Sequence, residues 1–459
     1  MRVLFQNHSS LLLQHDDRYL LTDPWFDTPA FGSWLPSMAP YIHPTYLASL
    51  GDQLTILVSH GHDDHFDDKL LEIFSKGTKF VTANFKSPSV INRLKRLGFE
   101  NILTVGEDEQ FIDDLIISSY VVSDFSHDDA TYLIRNDKGA VIHANDNWHE
   151  FTEPHSQLIK ERIAGYSKSS VLLFSQTNSA SGYPLNYRNF KPDQKQKILK
   201  EKVSKMVAGG LKNAESLGLD RMFSYAGFAT VYVKGKNYNS EGLFPTGKYL
   251  KQLLMDQSIE STVEIPDLFP GDSVSLPSGE IIKAFVNGYQ DSHIKTVTDK
   301  FYDVYGVKNH CISYRQLDNA IPKFEPWIEY FLTELDIFAR KRVDGMDSHY
   351  TKLIGKELSM QVTLNNEDVI YKTIRFGEGL VPWNAKANKV CHVGEFVLFA
   401  ILKGEALFED LDTGYNAEWE RFPEKEYNRD IVMMIGMFSY VYKNRLSSNA
   451  RKTFLAEDE

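Results

Sequence analysis

Ile56-Leu57-Val58-Ser59-His60-Gly61-His62-Asp63-Asp64-His65 sets an apolar β-forming run directly before four side chains able to hold a metal, His60, His62, Asp64 and His65. The run has the composition of a buried strand ending at Ser59. His60 and His62, two apart, can project to one side of the strand end. A turn there can aim Asp64 and His65 at a neighbouring ion, while Asp67 or Asp68 offers an N-cap for a helix through Leu70 and Leu71. The spacing therefore supplies two half-sites. Imidazoles and carboxylates without thiolates suit iron, zinc or manganese, and an incomplete shell leaves room for water, substrate or dioxygen. The plainer alternative is a histidine-rich solvated loop, but four specified residues in one short window make coincidence the weaker account.

The rest of the chain narrows the setting. Its 459 residues, 42% hydrophobic, allow two domains with sizeable cores. A net charge of −12 disfavours broad attraction to nucleic acid or an anionic membrane, so neither is an expected partner. Two cysteines, Cys311 and Cys391, provide no disulfide framework and suit a reducing cytoplasm. Polar residues Gln6-Asn7-His8 interrupt the N-terminal apolar run too early for an export signal. The late apolar run 431–442 is shorter than the roughly 20 residues of a bilayer span and reads as a core helix.

Short β-rich runs alternate with helical patterns through the first third. Residues 115–123 and 130–142 read as strands, the second folded back through Asn136-Asp137-Lys138-Gly139, and 171–176 as another. Residues 87–97 form a helical pattern stopped by Gly98, and 193–217 a long Lys-rich helix whose charges fit a solvated face. A composition shift follows the turn-rich Pro266-Asp267-Leu268-Phe269-Pro270-Gly271, placing a boundary near 270–290 and dividing the chain into 1–285 and 286–459. Helices near 327–340, 394–402 and 429–445 and strands near 358–364 and 369–375 make the second part α+β.

The His60–His65 pattern resembles that of the metallo-β-lactamase superfamily, His-x-His-x-Asp-His after a buried strand. Other landmarks follow in the same order. Asp23, in Leu20-Leu21-Thr22-Asp23-Pro24-Trp25, matches the aspartate that braces the metal loop; His127 matches the third histidine of the first site; Asp146 matches the bridging aspartate at a strand end. The resemblance implies a four-layer αββα sandwich over about the first 270 residues, followed by the smaller α+β region. It also implies that His60, His62 and His127 hold one ion and Asp64 and His65 the other, with Asp146 between them. Asp64 and Asp146 are then the candidate catalytic carboxylates. His8 resembles a histidine of an early Gly-His-Ser segment, although Asn7 replaces the glycine. Hydrolytic members add a last histidine where this chain has Met222-Phe223-Ser224-Tyr225-Ala226-Gly227-Phe228-Ala229. That leaves a coordination position open, or filled from elsewhere by His149, His155 or His293.

The same departure is similar to the catalytic region of the CMP-N-acetylneuraminate hydroxylase family, as are residues 175–184 containing Ser179-Ala180-Ser181-Gly182-Tyr183-Pro184, and residues 396–419. Ser181 and Tyr225 become candidate substrate-side or supporting residues beside His8 and Asp23. What this likeness implies is an iron oxygenase acting on a small polar molecule such as a nucleotide-linked sugar. That family begins with a Rieske domain, whose Cys-x-His and Cys-x-x-His pairs neither His310-Cys311-Ile312 nor Val390-Cys391-His392 completes. The electrons would then come from a separate donor protein. Two alternatives stay open: a metallo-hydrolase that turns metal-activated water on an ester, lactone, amide or phosphodiester, and a non-catalytic metal-binding assembly protein.

Overall fold

The computed structural model describes the chain except residues 27, 39, 124–127, 147–151, 179–180, 234–235, 237, 240–241, 285–322, 346–351, 427 and 456–459. The strands, in chain order, are β1 (Arg2–Asn7), β2 (Ser10–His15), β3 (Arg18–Thr22), β4 (Trp34–Pro36), β5 (Leu54–Val58), β6 (Lys79–Ala83), β7 (Ile102–Val105), β8 (Gln110–Ile112), β9 (Leu115–Ser123), β10 (Asp128–Asn136), β11 (Gly139–Asn145), β12 (Val171–Gln176), β13 (Phe223–Tyr225), β14 (Ala229–Val231), β15 (Ser273–Ser275) and β16 (Glu280–Ile282). Two large sheets result, ordered β16-β15-β1-β2-β3-β5-β6-β7 and β13-β12-β11-β10-β9-β8, and β14 pairs with β4 in a small third one. Strand β5 is buried along its whole length and lies parallel to β3 and β6, with Ile56 opposite Leu21 and Phe80. A parallel strand covered on both faces carries a continuous apolar run, which is why Leu54–Val58 lacks polar alternation.

Side chains alternate across the sheets, and the alternation builds the layers. Leu57 faces inward with Val81, Phe5 and Leu13, meeting Tyr132, Val141, Leu172 and Phe174 of the other sheet. Ile56 and Val58 face outward, under helices α1 (Pro44–Ser49), α2 (Asp68–Leu71) and α3 (Ser89–Arg96), which supply Leu47, Leu70 and Leu94. On the opposite outer face Leu133, Ile142 and Leu173 pack under α4 (Glu153–Ile163), α5 (Pro192–Ser216) and α6 (Gly247–Asp256) through Ile159, Leu199, Val203 and Leu250. Most charges of the Lys-rich α5 lie outward while Val203, Val207 and Leu211 are buried, but Lys195 and Lys202 turn in, donating to Leu185 O at 2.7 Å and Tyr183 O at 3.2 Å, and burial lowers the Lys202 ammonium to about 8. The result is the expected four-layer αββα sandwich.

A separate core follows. Helix α7 (Phe324–Gly345) presents Trp327, Phe331 and Leu335 to a sheet ordered β19-β18-β17-β20-β21, formed by β17 (Glu357–Thr363), β18 (Val369–Arg375), β19 (Gly379–Val381), β20 (Lys389–Gly394) and β21 (Ala417–Arg421). Helices α8 (Glu395–Leu402), α9 (Glu409–Asp412), α10 (Arg429–Val441) and α11 (Ser447–Leu455) complete it. The apolar run near 431–442 is the core helix α10, with Ile431, Met434, Ile435 and Phe438 inside. Tyr187 and Phe190 of the first part are built into this second core. No helix among the described residues is long and apolar enough to cross a membrane.

Candidate metal centre

Strands β1, β3, β5, β11 and β13 deliver their C-terminal ends to one place. Four of those ends turn through left-handed backbone at non-glycine residues: His8 at φ 44°, Asp23 at 38°, Asn145 at 55° and Ala226 at 57°. Such conformations are unfavourable for side-chain-bearing residues and gather where the surrounding structure holds a functional geometry. The turns are tied together: Ala226 N–H donates to His8 O at 2.9 Å, and Asp23 N–H to Leu57 O at 2.9 Å.

Two groups of potential ligands meet there, His60 with His62 and Asp146, and His8 with Asp64 and His65. Within each group the ligand atoms lie within 4.8 Å of one another. His60 Nε2 is 2.8 Å from His62 Nδ1, and His8 Nε2 is 3.3 Å from Asp64 Oδ2. Asp146 stands between the groups, Oδ2 at 4.0 Å from His60 Nε2 and Oδ1 at 4.0 Å from His65 Nε2. His127 lies outside the described residues, as do His149 and His293. His155 is elsewhere, 3.2 Å from Glu107. The imidazole that joins Asp64 and His65 is that of His8.

Asp23 organises the centre without joining either group. Its carboxylate accepts Ser59 N–H at 2.7 Å, Ser59 Oγ–H at 2.6 Å, His143 Nε2–H at 2.8 Å and His65 Nδ1–H at 3.1 Å. The bond to His65 Nδ1 leaves Nε2 facing the centre, the arrangement that fixes tautomer and ring direction in metal-binding histidines. Tyr225, fully buried, donates its hydroxyl proton to His143 Nδ1 at 3.1 Å and accepts Asn145 N–H at 2.6 Å. Tyr225 thus supports His143 and Asn145 from behind. Ser181 is half-buried in a loop, its Oγ accepting Tyr183 N–H at 3.2 Å and its carbonyl the Tyr415 hydroxyl at 3.1 Å. None of these contacts reaches the ligand groups. Asp63 turns outward to Arg93 at 2.9 Å, and Asp67 caps α2 by accepting Leu70 N–H at 3.1 Å.

Charge follows from these contacts. Burial would raise the Asp23 carboxyl, but His143 and His65 outweigh it and hold it well below the usual range. Burial would likewise raise Asp64, and His65 and His8 overturn it. His65 is driven the other way, well above the usual imidazole value, because Asp64 and Asp23 overcome its burial. Burial pushes His8 down and, aided by the neighbouring His65 and His62, His60 well down, leaving them neutral with lone pairs to offer. Burial lifts Asp146 to about 6.

The donor set fits metal ions. Asp64 Oδ1, His65 Nε2 and Asp146 Oδ1 are buried with no hydrogen-bond partner. Each such atom costs roughly 1–3 kcal/mol if nothing binds it. Three in one place point to an occupant, and two imidazoles with one carboxylate per group are donors that divalent metals accept.

Outside His60 and His62 opens a cleft of about 1000 Å³, bounded by Phe31, Arg93, Asp410 and Tyr440 among others. Its far wall belongs to the second core. The Phe31 ring sits 5.9 Å from that of His62, and its carbonyl accepts Asn416 Nδ2–H at 3.1 Å. Trp34 Nε1–H reaches Thr413 O at 2.8 Å. Gly414 packs so closely that an added Cβ would overlap the carbonyl oxygens of Phe31 and Asp410. Burial, with the charge of Asp63 next, pushes the Asp410 carboxyl up to about 7; Glu409 adds to this, while the Leu407 N–H and Lys443 oppose it.

The folded state therefore binds the Asp410 proton more tightly than the unfolded chain, whose carboxyl titrates near pH 4. Its stabilising share is present below about pH 4 and is lost as pH rises towards 7. Asp410→Asn is expected to remove that slope, leaving the variant roughly 2 kcal/mol more stable than wild type at pH 8 and level with it at pH 4, after discounting for the open cleft. Urea unfolding at both pH values checks this; parallel pH profiles would show an ordinary carboxyl.

Of these residues, Asn145, His143 and Asp129 escaped the sequence reading. Asp129 Oδ1 lies 3.8 Å from His60 Nδ1. Period-two alternation along β11 carried a signal for His143, two places after Val141, which faces the inter-sheet core, while a register shift between His143 and Asn145 broke it for Asn145.

No family model matches the chain. Over 155 residues, 32% of this chain, it is 27% identical to a protein of Mycolicibacterium smegmatis named as a Rieske 2Fe-2S iron-sulfur protein, and 26% identical to one of the same name from Mycobacterium tuberculosis. The match spans 30% of the length of those relatives. Similar solved structures are a possible metal-dependent hydrolase from Veillonella parvula (12% identity, 60% of this chain, 98% of that chain, TM-score 0.41) and isothiocyanate hydrolase from Delia radicum gut bacteria (15%, 61%, 100%, 0.40). CmlA, a diiron β-hydroxylase from Streptomyces venezuelae, is a third (15%, 58%, 53%, 0.38).

Proposed function

We propose that this chain is a dinuclear metal-dependent oxygenase, with iron as the metal and a small polar substrate of the nucleotide-sugar type. The observation that carries the reading is the composition of the two groups: among the described residues each offers two imidazoles and one carboxylate, nitrogen and oxygen donors that suit non-haem iron and leave positions open for dioxygen. His60, His62 and Asp146 would hold one ion, joined by His127, and His8, Asp64 and His65 the other, with the second oxygen of Asp146 turned towards it. Iron bound there supplies the reduction and activation of dioxygen. The balance is substrate C–H plus dioxygen, two electrons and two protons giving C–OH and water. The electrons come from a separate protein, a view supported by the relatives that carry a Rieske name.

The chain's own groups do the rest. Asp23 keeps a proton on His65 Nδ1 so that Nε2 faces inward, and Tyr225 keeps His143 directed at Asp23. The cleft of about 1000 Å³ is at the upper end of small-molecule sites and accepts an elongated polar substrate. Asp410 can hold a proton near neutral pH on the wall facing that substrate. In this scheme residues 1–285 form the catalytic domain and 286–459 cover the cleft.

Protein purified without oxygen is expected to hold iron and to change its optical spectrum on exposure to dioxygen. With nucleotide-linked sugars as probes and a reduced donor, isotope from labelled dioxygen should enter the product, and turnover should stop without donor or oxygen. If zinc- or manganese-loaded protein instead cleaves its substrate anaerobically with solvent oxygen in the product, the chain is a hydrolase.

A further inference from the structure

We infer that Arg93 is a positioning residue for the metal centre, clamping both ends of the segment that carries His62, Asp64 and His65; this rests on the metal reading above. Arg93 comes from α3, outside the sheet, and its side chain is 20% exposed. Nη1 donates to Gly61 O at 2.8 Å and Nη2 to Phe66 O at 3.1 Å, so one guanidinium holds the backbone on either side of residues 62–65. The same group binds Asp63 Oδ1 through Nη2 at 2.9 Å and Asp68 Oδ1 through Nε at 2.7 Å, and lies 4.3 Å over the Phe66 ring. Inside the segment the backbone closes a turn from His65 N–H to His62 O at 3.0 Å. That turn fixes spacing within the loop, whereas Arg93 fixes the loop against the sandwich.

A planar fork with five donors serves four acceptors and a ring face at once, and an ammonium on a flexible stem cannot. Burial opposes the guanidinium charge, but Asp63 and Asp68 outweigh it and hold its pKa above the ordinary value. Among the described residues no contact of Arg93 reaches a ligand atom, so its influence on the ions passes through loop geometry. Supporting groups of this kind typically change metal affinity 10–100-fold when removed.

The test is zinc affinity of the full chain, read by competition with a chromophoric chelator, beside urea unfolding of the metal-free protein. Arg162→Ala is the control, since Arg162 is likewise paired, to Glu109 and the Tyr120 hydroxyl, but holds no part of the metal loop. Arg93→Ala is expected to weaken zinc binding about 10–100-fold, with Arg93→Lys recovering only part and added methylguanidinium restoring some affinity to Arg93→Ala. Arg162→Ala should bind zinc as wild type does. Wild-type affinity in Arg93→Ala, or a loss no larger than that in Arg162→Ala, overturns the inference while leaving the metal reading intact. A wild-type chain that binds no zinc, iron or manganese removes both.

Discussion

Asp23→Ala is expected to destabilise the protein by about 3–5 kcal/mol, the range for breaking a buried charged network by removing one partner. The reason is numerical as well as electrostatic. One carboxylate accepts four hydrogen bonds, from Ser59 N–H, Ser59 Oγ–H, His143 and His65, and none of these donors can turn to water because all are buried. Asp23→Asn should do only slightly better, losing roughly 2–3 kcal/mol, since its NH2 group would face donors rather than acceptors. Both variants should also bind metal more weakly, because His65 Nδ1 loses the acceptor that fixes its ring. Urea denaturation of metal-free protein isolates the structural part; a loss below about 1 kcal/mol for Asp23→Ala would mean that the network contributes far less than its geometry suggests.

The second large effect concerns stoichiometry. Asp64→Ala and His65→Ala should each take the protein from about two ions per chain to about one and abolish turnover, because each removes a donor from the His8, Asp64, His65 group and leaves His60, His62 and Asp146 in place. His60→Ala and His62→Ala should empty the other group. Metal analysis after gel filtration reads the difference directly, and full retention in both Asp64→Ala and His65→Ala would remove the paired assignment. His8→Ala is informative beside them: loss of the same ion would give His8 the coordination place that the segment around Tyr225 leaves without a histidine.

How far the amino-acid order foretold this arrangement depends on the range of the contacts. The sandwich was legible because β5 and β11 are buried throughout and the helices carry one apolar face, so local composition reports the layer each element occupies. The His60–His65 cluster was legible for the same reason: its spacing is local. His8 stood out less, with Asn7 where the resembled motif has glycine, and its place beside Asp64 is made by the pairing of distant strand ends. Arg93 gave no warning, since an arginine among Lys95 and Arg96 on a short amphipathic helix looks like a solvated charge. Asp410 and Asn416 fall within the stretch 396–419 that the resemblance marked, but their place at the cleft was not legible. Their neighbours Asp63 and Phe31 stand more than three hundred residues away, and nothing in either segment names the other.

That separation gives the Phe31 contact a temporal side. Asn416 and Phe31, joined at 3.1 Å in the finished protein, are 385 residues apart in the chain. At ribosomal speeds of about 5–20 residues per second, roughly 20–80 s pass between the synthesis of the two. During that interval the histidines and carboxylates of the centre have all been made, while the segment that secures Phe31 beside His62 has not. On the metal reading, the ligands of both groups are therefore complete before the residues that hold Phe31 beside His62 exist.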